Sequence, residues 1–283
     1  MTNDKTRIVR GDKMLVFGGV CGNLQALHAL FRAAERANIP PSNWVCTGDM
    51  VAYCAGGDEV CGTVRRAMSK GIIVRGNCER SLAENNDDCG CGFAEGGVCD
   101  TLSASWFAHA KKTISPQHKR WFASLPEQVR LSFGGRVLTV LHAAADADNQ
   151  FIFASTPARQ KAQQIAQCQT DGMIAGHSGI PFSQLTGGGL WHNSGALGMP
   201  ANDGTARVWF SVFRRLQGGI RITHRPLRYA KLGARRAMQK AKMPPHYQKT
   251  LTNGLWPSDD ILPPPEKAQQ GIALHPPALF WRD

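Results

Sequence analysis

Four apolar runs of strand character each end on a residue that can bind a metal. Trp44–Cys46 precedes Gly48-Asp49, Ile72–Val74 precedes Gly76-Asn77, Val137–Leu141 precedes His142, and Met173–Ala175 precedes Gly176-His177. In an open α/β sheet the carboxyl ends of several strands meet at one edge, which is where such folds place their ligands. Runs punctuated in this way restrict the chain to architectures in which those four ends converge. One carboxylate, one amide oxygen and two imidazoles suit a borderline divalent ion such as Zn, Mn or Fe.

The rest of the chain reads as alternating strands and helices. Met14–Phe17 is a buried strand opening into Gly18-Gly19. Asn23 is a helix N-cap, followed by Leu24, Leu27, His28, Phe31 and Ala34 at helical spacing until Pro40-Pro41 stops the run. A second helix covers Glu59 to Ser69. Strand, helix, strand, helix, strand implies parallel pairing with right-handed crossovers. Residues 85–100 form a Gly-rich insertion containing Cys89, Cys91 and Cys99, and helices at about 101–111 and 116–124 come after it. Beyond residue 127 the pattern turns to strands, over 129–133, 136–141, 173–175, 182–185, 190–192, 206–213 and 219–223, with a helix at about 156–167. The basic stretch 228–242 suits a further helix, and Pro244-Pro245, Pro257 and Pro263-Pro264-Pro265 mark a tail with little regular structure. The expected organisation is one α/β (α+β) domain over 14–225, with two mixed sheets packed as a sandwich flanked by helices. A basic, Pro-rich C-terminal extension would cover 226–283.

Charge narrows the partners. The chain has 283 residues and a formal charge of +12, and its 214–249 segment carries Arg214, Arg215, Arg221, Arg225, Arg228, Lys231, Arg235, Arg236, Lys240, Lys242 and Lys249 with no Asp or Glu. Such a balance favours phosphate-bearing partners, a nucleotide or another small phosphorylated molecule. Charge alone is a weak pointer to nucleic acid, and a solvated basic face explains the segment equally. No run is long and apolar enough to span a membrane, and Met1–Lys13 is polar and lacks the apolar core of a secretory signal. The expected location is cytoplasmic, with the nine cysteines as reduced thiols or metal ligands and not structural disulfides.

The order and spacing of these motifs over about residues 14–213 resemble the calcineurin-like metallophosphoesterases, in particular their small bacterial phosphodiesterase and diadenosine-tetraphosphatase-like branch. The resemblance implies a helix-flanked β-sandwich. It also implies hydrolysis of a phosphate ester by water activated between two metals. The family's blocks are Asp-x-His, Gly-Asp, Gly-Asn-His-Asp/Glu, a lone His after a strand, and Gly-His-x-His. Here Gly19 and Cys21 replace the first pair. Thr47-Gly48-Asp49 is intact, with Asp49 at the bridging carboxylate's position. Gly76-Asn77-Cys78-Glu79 keeps the Asn but has Cys78 for the His near the leaving group. His142 is kept, and Gly176-His177-Ser178-Gly179 keeps its first His and loses its second. The run Asn193-Ser194-Gly195-Ala196-Leu197-Gly198 resembles the family's closing loop. By the resemblance, Asp49, Asn77, His142 and His177 would bind one ion, and positions 19, 21 and 179, sharing Asp49, the other. The private ligands of one ion are all substituted and those of the other all retained, which scattered loss would not produce.

The expectation is therefore a site for one divalent transition metal (Zn, Mn or Fe), or an altered second site built on the Cys21 thiol. Two ions clamp both attacking and leaving oxygens, and one ion cannot. A thiol that titrates near 8.5 is also a poor substitute for an imidazole acid. Cys78 and Glu79 are the candidate catalytic residues, and Arg75, Arg80 and Tyr53 the candidate substrate-binding ones, since Arg pairs bidentately with phosphate. The leading function is a metal-dependent phosphoesterase-like hydrolase acting on a phosphate ester or phosphoanhydride. The alternatives are a weakly active or inactive phosphate- or nucleotide-binding or scaffold protein on the same fold, and a thiol-containing metal or redox protein.

Overall fold

Met14–Phe17 is apolar throughout because both of its faces are covered. Met14 and Val16 point between two sheets, whereas Leu15 and Phe17 pack beneath helices. The computed structural model describes residues 6–283, so the reading of Met1–Lys13 as lacking a secretory signal falls partly on residues 1–5, outside the described residues. Strands β1 (Arg7–Ile8) and β2 (Lys13–Phe17) lead to helix α1 (Leu24–Arg36). Then come β3 (Trp44–Cys46), α2 (Gly57–Ala67), β4 (Ile72–Ile73), α3 (Asn77–Glu84), α4 (Val98–Thr113) and α5 (Pro116–Ser124). The second half runs β5 (Gln128–Phe133), β6 (Arg136–Leu141), α6 (Ala158–Gln167), β7 (Gly172–Ala175), β8 (Phe182–Thr186) and β9 (Gly189–Asn193). It closes with β10 (Val208–Leu216), β11 (Gly219–Leu227), α7 (Lys231–Lys240), α8 (Pro245–Asn253), α9 (Pro264–Ala268) and β12 (Leu279–Arg282).

The strands form two mixed sheets, ordered β1-β5-β6-β7-β9-β8 and β12-β11-β10-β2-β3-β4. The sandwich with flanking helices is thus the fold anticipated from the sequence. Val45, Leu138, Val140, Ile174 and Phe213 fill the space between the sheets, while α1, α2, α4 and α5 cover the outer face of the second sheet. β2, β3 and β4 pair in parallel, as do β6, β7 and β9, so the loops after β3, β4, β6 and β7 share one edge. Asn23 caps α1 as expected, accepting the Ala26 N–H, and its amide also reaches the Gly198 carbonyl at 2.8 Å.

Several regions differ from the expectation. Asn77 does not end a strand loop but opens α3, because Gly76 supplies an extended N-cap and Glu79 folds back on it. Helix α7 falls in the basic stretch expected to be helical, but the chain from Pro244 on is not an irregular tail: it carries α8 and α9, and β12 pairs antiparallel with β11, burying Trp281 between the sheets. Cys89 and Cys91 are joined as a disulfide, contrary to the expectation of reduced thiols, because Gly90 at φ +64° turns the chain and brings their Cα atoms 5.3 Å apart. Among the described residues no helix is long and apolar enough to cross a membrane.

The sandwich interior also holds a polar cluster. Ser183 Oγ lies 2.8 Å from His192 Nδ1 and 2.9 Å from His224 Nε2, and Ser211 Oγ lies 3.0 Å from His224 Nδ1. Burial holds both imidazoles neutral, His224 down to about 4 against an ordinary value of 6.5. The unfolded chain therefore binds the extra proton first. The stability linked to His224 is present above pH 6.5 and is lost as pH falls toward 4. For this one group the loss amounts to about 3 kcal/mol. Urea unfolding between pH 7 and pH 4 should show that decline, and His224→Gln should flatten it. An unchanged slope would show that the cluster does not govern acid stability.

Candidate metal centre

Asp49 follows β3 on a turn that requires glycine before it. Gly48 has φ +90°, and a Cβ there would lie 2.6 Å from the Gly76 nitrogen and 3.0 Å from His142 Nδ1. The loops after β3, β4 and β6 meet at this point. Asp49 and His177 themselves adopt φ +52° and +60°. That region costs a non-glycine residue about 1–2 kcal/mol, so neighbouring groups must hold it.

Glu79 holds the Asp49 side. Its Oε2 accepts the N–H groups of Asp49 (2.8 Å) and Gly76 (3.0 Å), and its Oε1 accepts that of Val51 (3.1 Å). The carboxyl is fully buried, and burial followed by the adjacent Asp49 charge pushes it up to about 7. On the other side Asn193 donates to the Gly176 carbonyl (2.7 Å) and to Ser178 Oγ (2.8 Å), bracing the turn that carries His177. The Gly176 N–H also donates to the His142 carbonyl at 2.7 Å.

The ligand atoms converge. His142 Nδ1 donates to the Thr47 carbonyl at 2.6 Å, which turns Nε2 toward the other three residues. Around that Nε2 lie Asn77 Oδ1 at 2.9 Å, His177 Nδ1 at 3.2 Å and Asp49 Oδ2 at 3.3 Å. The Asn77 amide is oriented by its nitrogen, which donates to the Cys89 carbonyl at 2.9 Å and faces Cys91 Sγ at 3.4 Å. A single ring nitrogen can share one proton with one of three surrounding lone pairs, whereas a cation would satisfy them all. Metal–ligand bonds of about 2.1 Å imply ligand–ligand edges of about 3.0 Å in an octahedron and about 3.4 Å in a tetrahedron. The three separations from His142 Nε2, 2.9–3.3 Å, match those edges, so the donor set fits a divalent ion. The donor atoms of Asp49, His142 and His177 all lie within 4.8 Å of one another.

Burial acts most strongly against the Asp49 carboxylate, but the charge and hydrogen bond of His142, the charge of His177 and the hydrogen bond from Cys78 together hold the group below its ordinary value. Burial likewise acts against charged His142, yet Asp49 raises it to about 9. Burial and the His142 charge push His177 down to about 4, leaving it neutral. The proton on His142 sits among the same donors that a metal would use, so loading a metal must displace it.

The other sequence candidates fall in different places. Tyr53 and Cys21 line the cavity that opens on Asp49 and His177, about 90 Å³ in volume. The Cys21 thiol donates to its own loop, at the Gly19 carbonyl (3.0 Å), and burial followed by Asp49 pushes it well up. Cys78 and Glu79 are buried and outside the cavity lining. Burial and Asp49 keep the Cys78 thiol protonated, and Glu79 is spent on backbone N–H groups. Arg75 pairs with Glu127 (2.6 Å) and Arg80 with Asp148 (2.5 and 3.0 Å), so neither faces the cavity. Of the positions assigned by resemblance to a second ion, Gly19 and Gly179 supply no donor. A Cβ at Gly179 would lie 3.4 Å from the Trp256 ring, and one at Gly19 3.3 Å from the Ala196 Cβ. Sequence reasoning missed the cavity's aromatic wall of Phe93, Phe151, Tyr247 and Trp256. Large apolar side chains inside Gly- and Pro-rich stretches were the available signal for Phe93 and Trp256.

No protein-family model and no curated protein sequence matches the chain. Solved structures do resemble it. A metallophosphoesterase from Sphaerobacter thermophilus superposes with a TM-score of 0.67 at 20% identity, covering 87% of this chain and 100% of its own. A hypothetical protein from Pyrococcus horikoshii OT3 superposes with a TM-score of 0.70 at 13% identity, covering 86% and 99%. The two-sheet architecture is therefore a metallophosphoesterase fold.

Glu79→Ala strips three buried N–H groups of their acceptor at once. It should destabilise the protein by about 1–3 kcal/mol or more in urea unfolding. A midpoint indistinguishable from wild type would remove Glu79 as the brace of the Asp49 turn.

Proposed function

We propose that the chain is a metal-dependent phosphoesterase-like hydrolase in which Asp49, Asn77, His142 and His177 hold a single divalent transition metal, Zn, Mn or Fe. The observation that carries this reading is the gathering of three lone-pair donors around His142 Nε2 within 2.9–3.3 Å. When bound, the metal supplies Lewis-acid polarisation of a phosphoryl oxygen and a lower pKa for attacking water. The chain supplies the rest. Thr47 and Cys89 fix the orientation of two ligands through their carbonyls, and Glu79 and Asn193 hold the turns that carry the other two. His177 stays neutral and Tyr53 keeps its proton, in each case chiefly through burial. Tyr53 is thus one hydroxyl on the cavity wall that can donate a hydrogen bond to a substrate oxygen.

Loss of the second ion's ligands at positions 19 and 179 removes one half of the two-metal clamp, so turnover should be slow. The same loss favours a second reading, a phosphate-ester-binding module without turnover. Elemental analysis of the purified chain should find about one transition metal per polypeptide. Turnover of bis(4-nitrophenyl) phosphate should fall by at least about 100-fold in His142→Ala, a direct ligand, given that supporting residues alone are worth 10–100-fold. Turnover that survives the substitution removes the metal from the mechanism. Stoichiometric metal with no turnover selects the binding module.

A further inference from the structure

The cavity beside the metal centre is walled by hydrophobic groups and carries almost no charge. Tyr53, Phe93, Phe151, Tyr247, Trp256 and Ile261 line it, with Asp49 and His177 at one end. Among the described residues of its lining there is no Lys or Arg, although the chain has 33 of them against 21 Asp and Glu. Arg75 and Arg80, the cations nearest in sequence to Asn77, are engaged by Glu127 and Asp148. Asp49 and His177, at the end of the cavity, are both turned to His142 Nε2, at 3.3 and 3.2 Å. An anion entering here finds a bound metal and no other positive partner, and each uncompensated charge withdrawn from water is costly.

The wall is held in place before any ligand arrives. Trp256 donates from Nε1 to the Pro200 carbonyl at 2.7 Å and from its backbone N–H to Asn202 Oδ1 at 2.8 Å. Gly254 at φ +76° ends α8 and turns the chain into this position, and a Cβ there would overlap the Thr205 backbone. Asp260 accepts the Val98 N–H at 2.8 Å, fastening the loop after α8 to the start of α4. Opposite, the Phe151 ring lies 4.3 Å from that of His177 and within 16° of parallel to Phe93. Trp256 also packs at Gly179, the position where the resemblance would put a ligand of a second ion. A rigid aromatic ring occupies this region in place of a cation's ligand.

Resting on the phosphoesterase reading, we infer that the cavity selects phosphodiesters with a single negative charge and an aromatic arm, and rejects dianionic monoesters and polyphosphates. Trp256 and Phe151 are the specificity-determining residues. One negative charge matches the net demand of a lone metal centre without flanking cations, and a flat apolar arm matches preorganised rings.

Non-hydrolysable anions separate charge from shape. Calorimetry on the full metal-loaded chain, at an alkaline pH where the phosphonate is doubly ionised, would compare diphenylphosphinate (one charge, two rings), dimethylphosphinate (one charge, no ring), phenylphosphonate (two charges, one ring) and β,γ-methylene-ATP. Diphenylphosphinate should bind at least about tenfold more tightly than each of the others, the scale expected of one ring stacked on an aromatic side chain. Trp256→Ala should remove about tenfold for diphenylphosphinate and leave dimethylphosphinate unchanged, while Trp256→Phe restores most of the loss. Tighter binding of the dianion or the nucleotide, or a diphenylphosphinate affinity indifferent to Trp256→Ala, overturns the inference. The two proposals fail separately. A Trp256-dependent preference without turnover leaves the cavity assignment standing and ends the hydrolase reading. His142-dependent turnover with no preference for the aromatic monoanion does the reverse.

Discussion

The Glu79 carboxylate ties two loops that sequence separates by some thirty residues. It receives N–H groups from Asp49 and Val51 after β3 and from Gly76 before α3, and the convergence of Asp49 and Asn77 on His142 descends from that junction. Asp49 stays at a left-handed φ because its N–H is held, and Asn77 points inward because α3 begins where Glu79 caps it. A buried acid in such a place is unfavourable alone, and its raised pKa expresses that. Three backbone donors offset the cost. His142 is anchored in the same neighbourhood by the Thr47 carbonyl, so one compact junction positions three of the four donors.

The sandwich, most strands and the residues that converge at His142 (Asp49, Asn77 and His177) were legible in the sequence, because each rests on local information. Apolar runs of three to five residues followed closely by a polar residue mark both the strand and the side chain at its end, and Gly48 and Gly76 mark the tight approach of loops. The features that were not legible depend on long-range packing. Glu79 reads as a site residue by position, yet its oxygens turn to the backbone, a choice made by the fold of the Asp49 turn. Arg75 and Arg80 read as phosphate ligands until Glu127 and Asp148, fifty or more residues away, claim them. Nothing local in the stretch 226–283 announces that Trp281 fills the space between the sheets or that Trp256 meets Gly179.

The aromatic wall and the glycines at 19 and 179 belong together. Ala196 and Trp256 stand where side chains on those glycines would reach. With no side chain at either position, the space beside Asp49 and His177 is left to apolar groups. The insertion 85–100 and the loop after α8 both contribute to that room, and the same insertion orients Asn77 through the Cys89 carbonyl. The cavity wall and the orientation of Asn77 thus share a structural support.

The cavity lining is drawn from residues as far apart as Gly18 and Ile261. Its assembly therefore requires closing very long loops, and loop closure of that kind is slow because its entropic penalty precedes any reward from contacts. No excised fragment of this polypeptide would contain a working pocket. Folding speed, and exposure to aggregation while the strands find their non-neighbouring partners, are built into the way the site is distributed along the chain.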